Sequence, residues 1–161
     1  MIDAHCHLQF KAFEEDYDQV IKDAFASGIT KIINTGTQLS SSINAVNFAQ
    51  KYDQLYAIIG VHPHHADKIQ RNPAIVEHTE NATETKTFKD HKGDMDFWIK
   101  ELAKLASHPK VLGIGEVGLD YYSYKSNGIV DPKVQREVFE AQIDLDVYKR
   151  QRCKRLNYLL H

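Results

Sequence analysis

The chain has 161 residues, of which 42% are hydrophobic, 26% charged and 10% aromatic. That composition suits about one folded globular domain and excludes a disordered segment, a collagen-like fibre or a disulfide-stapled miniprotein. Twenty Lys and Arg against 22 Asp and Glu give a formal net charge of -2, so overall charge does not point to nucleic-acid binding. Cys6 and Cys153 lie far apart and form no disulfide framework, which implies a reducing compartment.

The first residues, Met1-Ile2-Asp3-Ala4-His5, lack the basic stretch and apolar run of a signal peptide. No segment approaches the ~18 apolar residues of a membrane span. A soluble, cytoplasmic protein is the expectation.

Ile2 to Leu8 is predicted as the first strand. Phe13 to Ser27 carries Phe13, Tyr17, Val20, Ile21, Ala24 and Phe25 at helical spacing, with Gly28 where a helix stops. Ile29 to Thr35 is a β-branched run and a second strand. Ser40 to Tyr52 is a second helix, with Ser40, Ser41 and Ser42 as N-cap candidates. Leu55 to His62 reads as a third strand and Phe97 to Ser107 as a third helix. Val111 to Val117 is a fourth strand. Pro132 to Leu145 is a fourth helix, with proline in its first turn. The βαβαβαβα order predicts a parallel sheet with packed helices and right-handed crossovers. Two stretches depart from this pattern. Arg71 to Met95 lacks hydrophobic periodicity and reads as a polar surface insertion. From Asp146 onward a basic tail begins, with Lys149, Arg150, Arg152, Lys154 and Arg155 against one acid. Such a run is commonly a solvated face and less often a nucleic-acid contact.

Three clusters carry chemistry. In Asp3-Ala4-His5-Cys6-His7, strand alternation puts Asp3, His5 and His7 on one face. Imidazoles two residues apart on a strand can converge on one cation at the usual ~2.0–2.1 Å metal–nitrogen distance; the alternative is a pair of hydrogen-bonded histidines. Glu116 ends the glycine-interrupted strand within Gly113-Ile114-Gly115-Glu116-Val117-Gly118. A carboxylate in that place needs a compensating charge, either a cation or a Lys or Arg partner. No helix follows at once, so these glycines are not a dinucleotide fingerprint. Gly60-Val61-His62-Pro63-His64-His65 places three histidines at the third strand's exit, either as ligands, as donors to an anion, or as a plain polar loop. All three clusters fall at C-terminal strand ends, the edge where parallel α/β folds build sites.

The same three segments, with Leu119-Asp120-Tyr121-Tyr122 after Gly118, resemble the TatD family of metal-dependent hydrolases in order, spacing and strand placement. The resemblance runs over about residues 1–145, apart from the insertion. It implies a (β/α)8 barrel of the amidohydrolase type and a DNase, commonly acting at 3′ ends of single-stranded DNA without sequence-specific readout. It also implies two divalent cations, Mg, Mn or Zn. Carried over by position, His5, His7 and Glu116 are metal ligands. Glu116 is the catalytic carboxylate that bridges two metals, and His62, His64 and Asp120 are substrate contacts. A complete barrel needs eight βα units in ~250 residues, and this chain has four. A truncated or frame-disrupted chain is therefore expected, with residues 1–145 as half of the barrel and 146–161 as an unrelated tail. Its expected activity alone is small, because ligands from later strands are absent. The open edges of strands one and four are expected to favour self-association. Two other readings stay open: a metalloenzyme acting on an amide, ester or lactone, and a non-catalytic metal-binding remnant.

Overall fold

A computed structural model describes residues 1–69, 94–126 and 128–158, with side chains through 147. Four parallel strands, β1 (Ile2–Cys6), β2 (Lys31–Thr35), β3 (Leu55–Ile59) and β4 (Val111–Ile114), form one sheet in the order β1-β2-β3-β4. The helices are α1 (Tyr17–Ala26), α2 (Leu39–Lys51), α3 (Met95–Ala106) and α4 (Pro132–Tyr158). Short 3-10 turns at Lys11–Phe13 and Pro63–Lys68 follow β1 and β3. Four βα units of a TIM-type barrel result. Most of the predicted insertion lies outside the described residues.

Three of the predicted strands are too long at their C-terminal ends, while β2 ends at Thr35 as predicted. β1 stops at Cys6, β3 at Ile59 and β4 at Ile114. His7, His62 and Glu116 thus stand just past the ladders. Chain that has left the ladder is where a side chain can face a ligand instead of the sheet's own packing. β3 is covered on one side, with Leu55, Ala57 and Ile59 buried and Tyr56 and Ile58 half-buried. β1 is an edge strand, and its Ile2 and Ala4 are exposed.

The core gathers Ile32, Leu55, Ala57, Ile59 and Val111 from the sheet against Ile21, Leu39, Val46, Trp98, Leu102, Val134 and Val138 from the helices. Gly28 ends α1 as predicted: at φ +93° it suits a residue without a Cβ, and the Ile29 N–H donates back to Ala24 O at 3.1 Å. The start of α2 differs from expectation. Gln38, not a serine, is the N-cap, and Ser41 three residues on accepts from the backbone N–H groups of Gln38 (3.0 Å) and Thr37 (2.8 Å). Ser42 instead ties the helix to the end of β3, donating to Gly60 O (3.2 Å) and accepting from Gly60 N–H (3.1 Å). α4 runs unbroken past Leu145, the residue after which the basic tail was expected to separate.

Among the described residues no helix is long and apolar enough to cross a membrane.

Candidate metal and substrate site

β2 places the first imidazole. Past the end of β1, the His7 ring stacks on Phe10, with centroids 4.5 Å apart and planes within 9°. Its Nδ1 lies 2.8 Å from the Thr35 carbonyl at the end of β2. A carbonyl can only accept, so Nδ1 carries the proton and Nε2 is left with its lone pair. That Nε2 is 3.1 Å from Nε2 of His5. The His5 backbone N–H in turn donates to Asp3 Oδ1 at 3.1 Å. The predicted pairing of His5 and His7 is therefore present, while Asp3 turns to the backbone rather than to the imidazoles.

Glu116 joins this pair from the opposite edge of the sheet. Three strand spacings of ~4.8 Å separate β1 from β4 in a flat sheet, too far for these two side chains to meet. Here Glu116 Oε2 is 3.8 Å from His5 Nε2, so the sheet curls as a barrel wall does. The curl is held at the strand exits. Gly36 N–H donates to Ile58 O (2.9 Å), Gly115 N–H to Ile59 O (2.8 Å) and Glu116 N–H to Gly36 O (3.4 Å). The other oxygen of Glu116, Oε1, faces His62 Nε2 at 4.0 Å, beyond direct hydrogen-bond reach.

His62 has its own fixed tautomer. Its Nδ1 accepts from the His64 backbone N–H at 3.1 Å, so the proton of the neutral ring sits on Nε2, pointing at Glu116. His62 thus presents a donor, not a lone pair. His64 turns away to lie tilted against Tyr124 (centroids 3.9 Å, planes at 46°) and sits beside His65 (4.7 Å). Asp120 is close by: Oδ1 accepts from Tyr122 N–H (2.9 Å) and Oδ2 from the Tyr124 hydroxyl (2.7 Å). Those two bonds hold its carboxyl below the usual carboxylate range. The same hydrogen bond pushes the Tyr124 hydroxyl up to about 12.

His5, His7 and Glu116 are the group of potential ligands that the described residues bring together, with one donor atom from each inside 4.8 Å. They fit a cation. Two nitrogens each ~2.1 Å from one ion, at tetrahedral or octahedral angles, lie about 3.0–3.4 Å apart, and the observed 3.1 Å falls in that range. The carbonyl behind His7 is the kind of partner that orients a ligating imidazole. Sequence reading missed Thr35, Phe10 and Tyr124, and also two glutamines on α4. Gln135 and Gln142 share a stripe with Val138 and Leu145 and are 1% exposed. A polar residue in an apolar stripe was the available signal.

His65, buried behind the His62 loop, has its pKa lowered to about 2, chiefly by burial and secondarily by the nearby Lys68 ammonium. The unfolded chain binds a proton there below pH 6.5 that the folded chain refuses. The contribution is therefore complete above pH 6.5 and is lost as pH falls, at up to ~1.4 kcal/mol per pH unit. Urea unfolding at pH 7 and pH 5 should show this loss, and His65→Gln should flatten it. An unchanged slope in the variant would sink the assignment.

An imidazole pair and a carboxylate meet on the strand ends of a curled parallel sheet, an α/β barrel-type arrangement with a candidate metal centre. Comparison with known proteins makes the class more particular. The profile of the family described as TatD related DNase matches residues 2–147. The chain belongs to that family, one of metal-dependent hydrolases and nucleases that use divalent metal. It is 34% identical over 146 residues to an uncharacterized metal-dependent hydrolase, YabD, of Bacillus subtilis, covering 90% of this chain and 46% of that protein. It is 30% identical over 145 residues to the 3′-5′ ssDNA/RNA exonuclease TatD of Salmonella typhimurium, covering 90% and 45%. The crystal structure of YJJV, a TatD homologue from Escherichia coli K12, superposes with a TM-score of 0.68 at 24% identity, over 93% of this chain and 48% of that one. The chain thus spans about half the length of the curated relatives it matches.

Proposed function

We propose that this chain carries the N-terminal part of the active site of a divalent-metal-dependent hydrolase that cleaves phosphodiester bonds in single-stranded nucleic acid from the 3′ end. The observation that carries this reading is the placement of Glu116, with Oε2 toward the His5–His7 pair and Oε1 toward the His62 donor. His5, His7 and Glu116 hold the cation. A divalent cation bound there supplies Lewis-acid polarisation of a phosphoryl oxygen and activation of water at neutral pH. Glu116 is the catalytic carboxylate, linking the cation end of the site to the end that receives substrate. His62 donates its Nε2–H to a phosphate oxygen. His64 and Asp120 shape the wall beside it, with Asp120 kept ionised by Tyr122 N–H and the Tyr124 hydroxyl. The nucleic-acid substrate is supported by the Salmonella relative, described as acting on ssDNA and RNA.

Charge supports the need for cations. The segment 146–161 carries five basic residues and one acid, or +4, so residues 1–145 carry -2 - 4 = -6. An acidic body repels a polyanion unless bound cations offset it. We place the catalytic body at 1–145 and the basic extension after it.

The test is 3′ trimming of a labelled single-stranded oligonucleotide in Mn²⁺ or Mg²⁺, run beside small amide, ester and lactone substrates. Slow metal-dependent trimming that Glu116→Gln abolishes is expected, since this chain carries only part of the site and Glu116 is both a ligand and a transition-state contact. Glu116-dependent turnover of the small substrates with none on DNA would replace this reading with the amidohydrolase one.

A further inference from the structure

The two buried glutamines of α4 each grip the backbone of a loop that bears a site residue. Gln142 Oε1 accepts from Val61 N–H (2.7 Å) and its Nε2 donates to Val61 O (3.1 Å), one residue before His62. Gln135 does the same at Asp120: Oε1 accepts from Asp120 N–H (2.7 Å), and Nε2 donates to Asp120 O (2.8 Å) and to Val130 O (2.7 Å). Seven residues apart, they lie about two turns along one helix face. A side-chain amide that pairs both ways with a backbone amide copies a strand ladder without a strand. Neither glutamine touches the ligand cluster. At Asp120 the grip fixes the peptide whose carboxylate then receives Tyr122 N–H and the Tyr124 hydroxyl. Tyr124 in turn packs on His64.

We infer that Gln135 is a positioning residue: by clamping the Asp120 backbone it sets the Asp120–Tyr124–His64 wall against which the nucleic-acid strand lies, independently of the cation. This rests on the function proposed above. The test uses the full chain with Gln135→Met, which keeps side-chain length and loses all three bonds. Three measurements are made: calorimetry with Mn²⁺, fluorescence binding of a single-stranded thymidine oligonucleotide in Mn²⁺, and amide hydrogen exchange. Mn²⁺ affinity should stay within about twofold, while oligonucleotide binding weakens at least ~10-fold. The amides of Asp120 and of Tyr122 should exchange at least ~10-fold faster, with the Val61 amide unchanged. Tyr122 is decisive, because its N–H bonds the Asp120 carboxylate and never Gln135. Parental protection at Tyr122, or unaltered oligonucleotide binding with both amides freed, overturns the inference. Should the parent chain itself not bind the oligonucleotide, the proposed function fails, and the exchange pattern alone decides the clamp. Where Gln135→Met does not melt cooperatively, Gln135→Glu, which keeps an acceptor for Asp120 N–H and when ionised donates nothing, must show the same loss at Tyr122.

Discussion

His7→Ala should lower the affinity of the chain for Mn²⁺ by at least ~100-fold, more than loss of an outer partner usually costs. Calorimetric titration at pH 7.5 (roughly one unit above the free imidazole value) reads this directly. The size follows from the geometry. Of the proposed ligands, His7 is the one whose tautomer is fixed, by the Thr35 carbonyl at 2.8 Å, so its lone pair is oriented before any cation arrives. His5 has no such partner among the contacts described and depends on His7 for its nearest nitrogen neighbour. Removing His7 thus leaves an exposed imidazole and a carboxylate 3.8 Å apart, a pair common on protein surfaces. The ring is only half-buried against Phe10, so the melting temperature should shift by no more than about 4–5 °C. Undiminished Mn²⁺ binding in the variant would mean that the cation sits elsewhere or that the histidines are merely hydrogen-bonded.

A large loss of stability is expected on substitution of Gly60, which lies beside the site. A Cβ there would lie 2.6 Å from Gly115 O, 2.8 Å from Gly115 C and 2.9 Å from Gln142 Oε1. Two of these three are backbone atoms, which cannot swing aside. Gly60→Ala should therefore cost about 3 kcal/mol or more, at the upper end of overpacking effects, read as a lower urea midpoint with little change in slope. The strain has a functional reach. Relieving it moves Gly115, whose N–H is bound to Ile59 O, and Glu116 is the next residue. A loss of Mn²⁺ affinity should accompany the loss of stability in this variant. A midpoint equal to that of the parent would show that the β3 and β4 exits can separate freely.

Much of this arrangement is written locally. His5 and His7 share a strand face by period two, and Glu116 ends a run too apolar to house a bare charge. That the sheet is parallel follows from alternation of elements, whereas its sequential order follows from the resemblance to a barrel family. What local pattern could not reveal is the approach of Glu116 to His5, because the two come from opposite edges of the sheet and meet only through its curvature. The tautomers of His7 and His62 were also hidden. Each depends on one backbone group, Thr35 O and His64 N–H, that any residue type could provide. The serines at the start of α2 misled for a related reason. A hydroxyl there can cap a helix or tie it to a neighbouring strand, and Ser42 does the second because Gly60 lies within reach. The strand ends were overrun because apolar and β-branched residues continue past the last ladder bond.

The simple strand order has a consequence for how the protein is made. Each strand pairs with the one before it in the chain, so every new βα unit docks on structure already synthesised and needs nothing from residues still to come. The sheet can grow on the ribosome from its N-terminal edge. The His5–His7–Glu116 cluster cannot: His5 and His7 emerge first, yet the carboxylate arrives only with Glu116, just past the fourth strand and before the fourth helix. Until then the nascent chain has the two imidazoles without Glu116, so the proposed cation site would close only when the fourth strand docks.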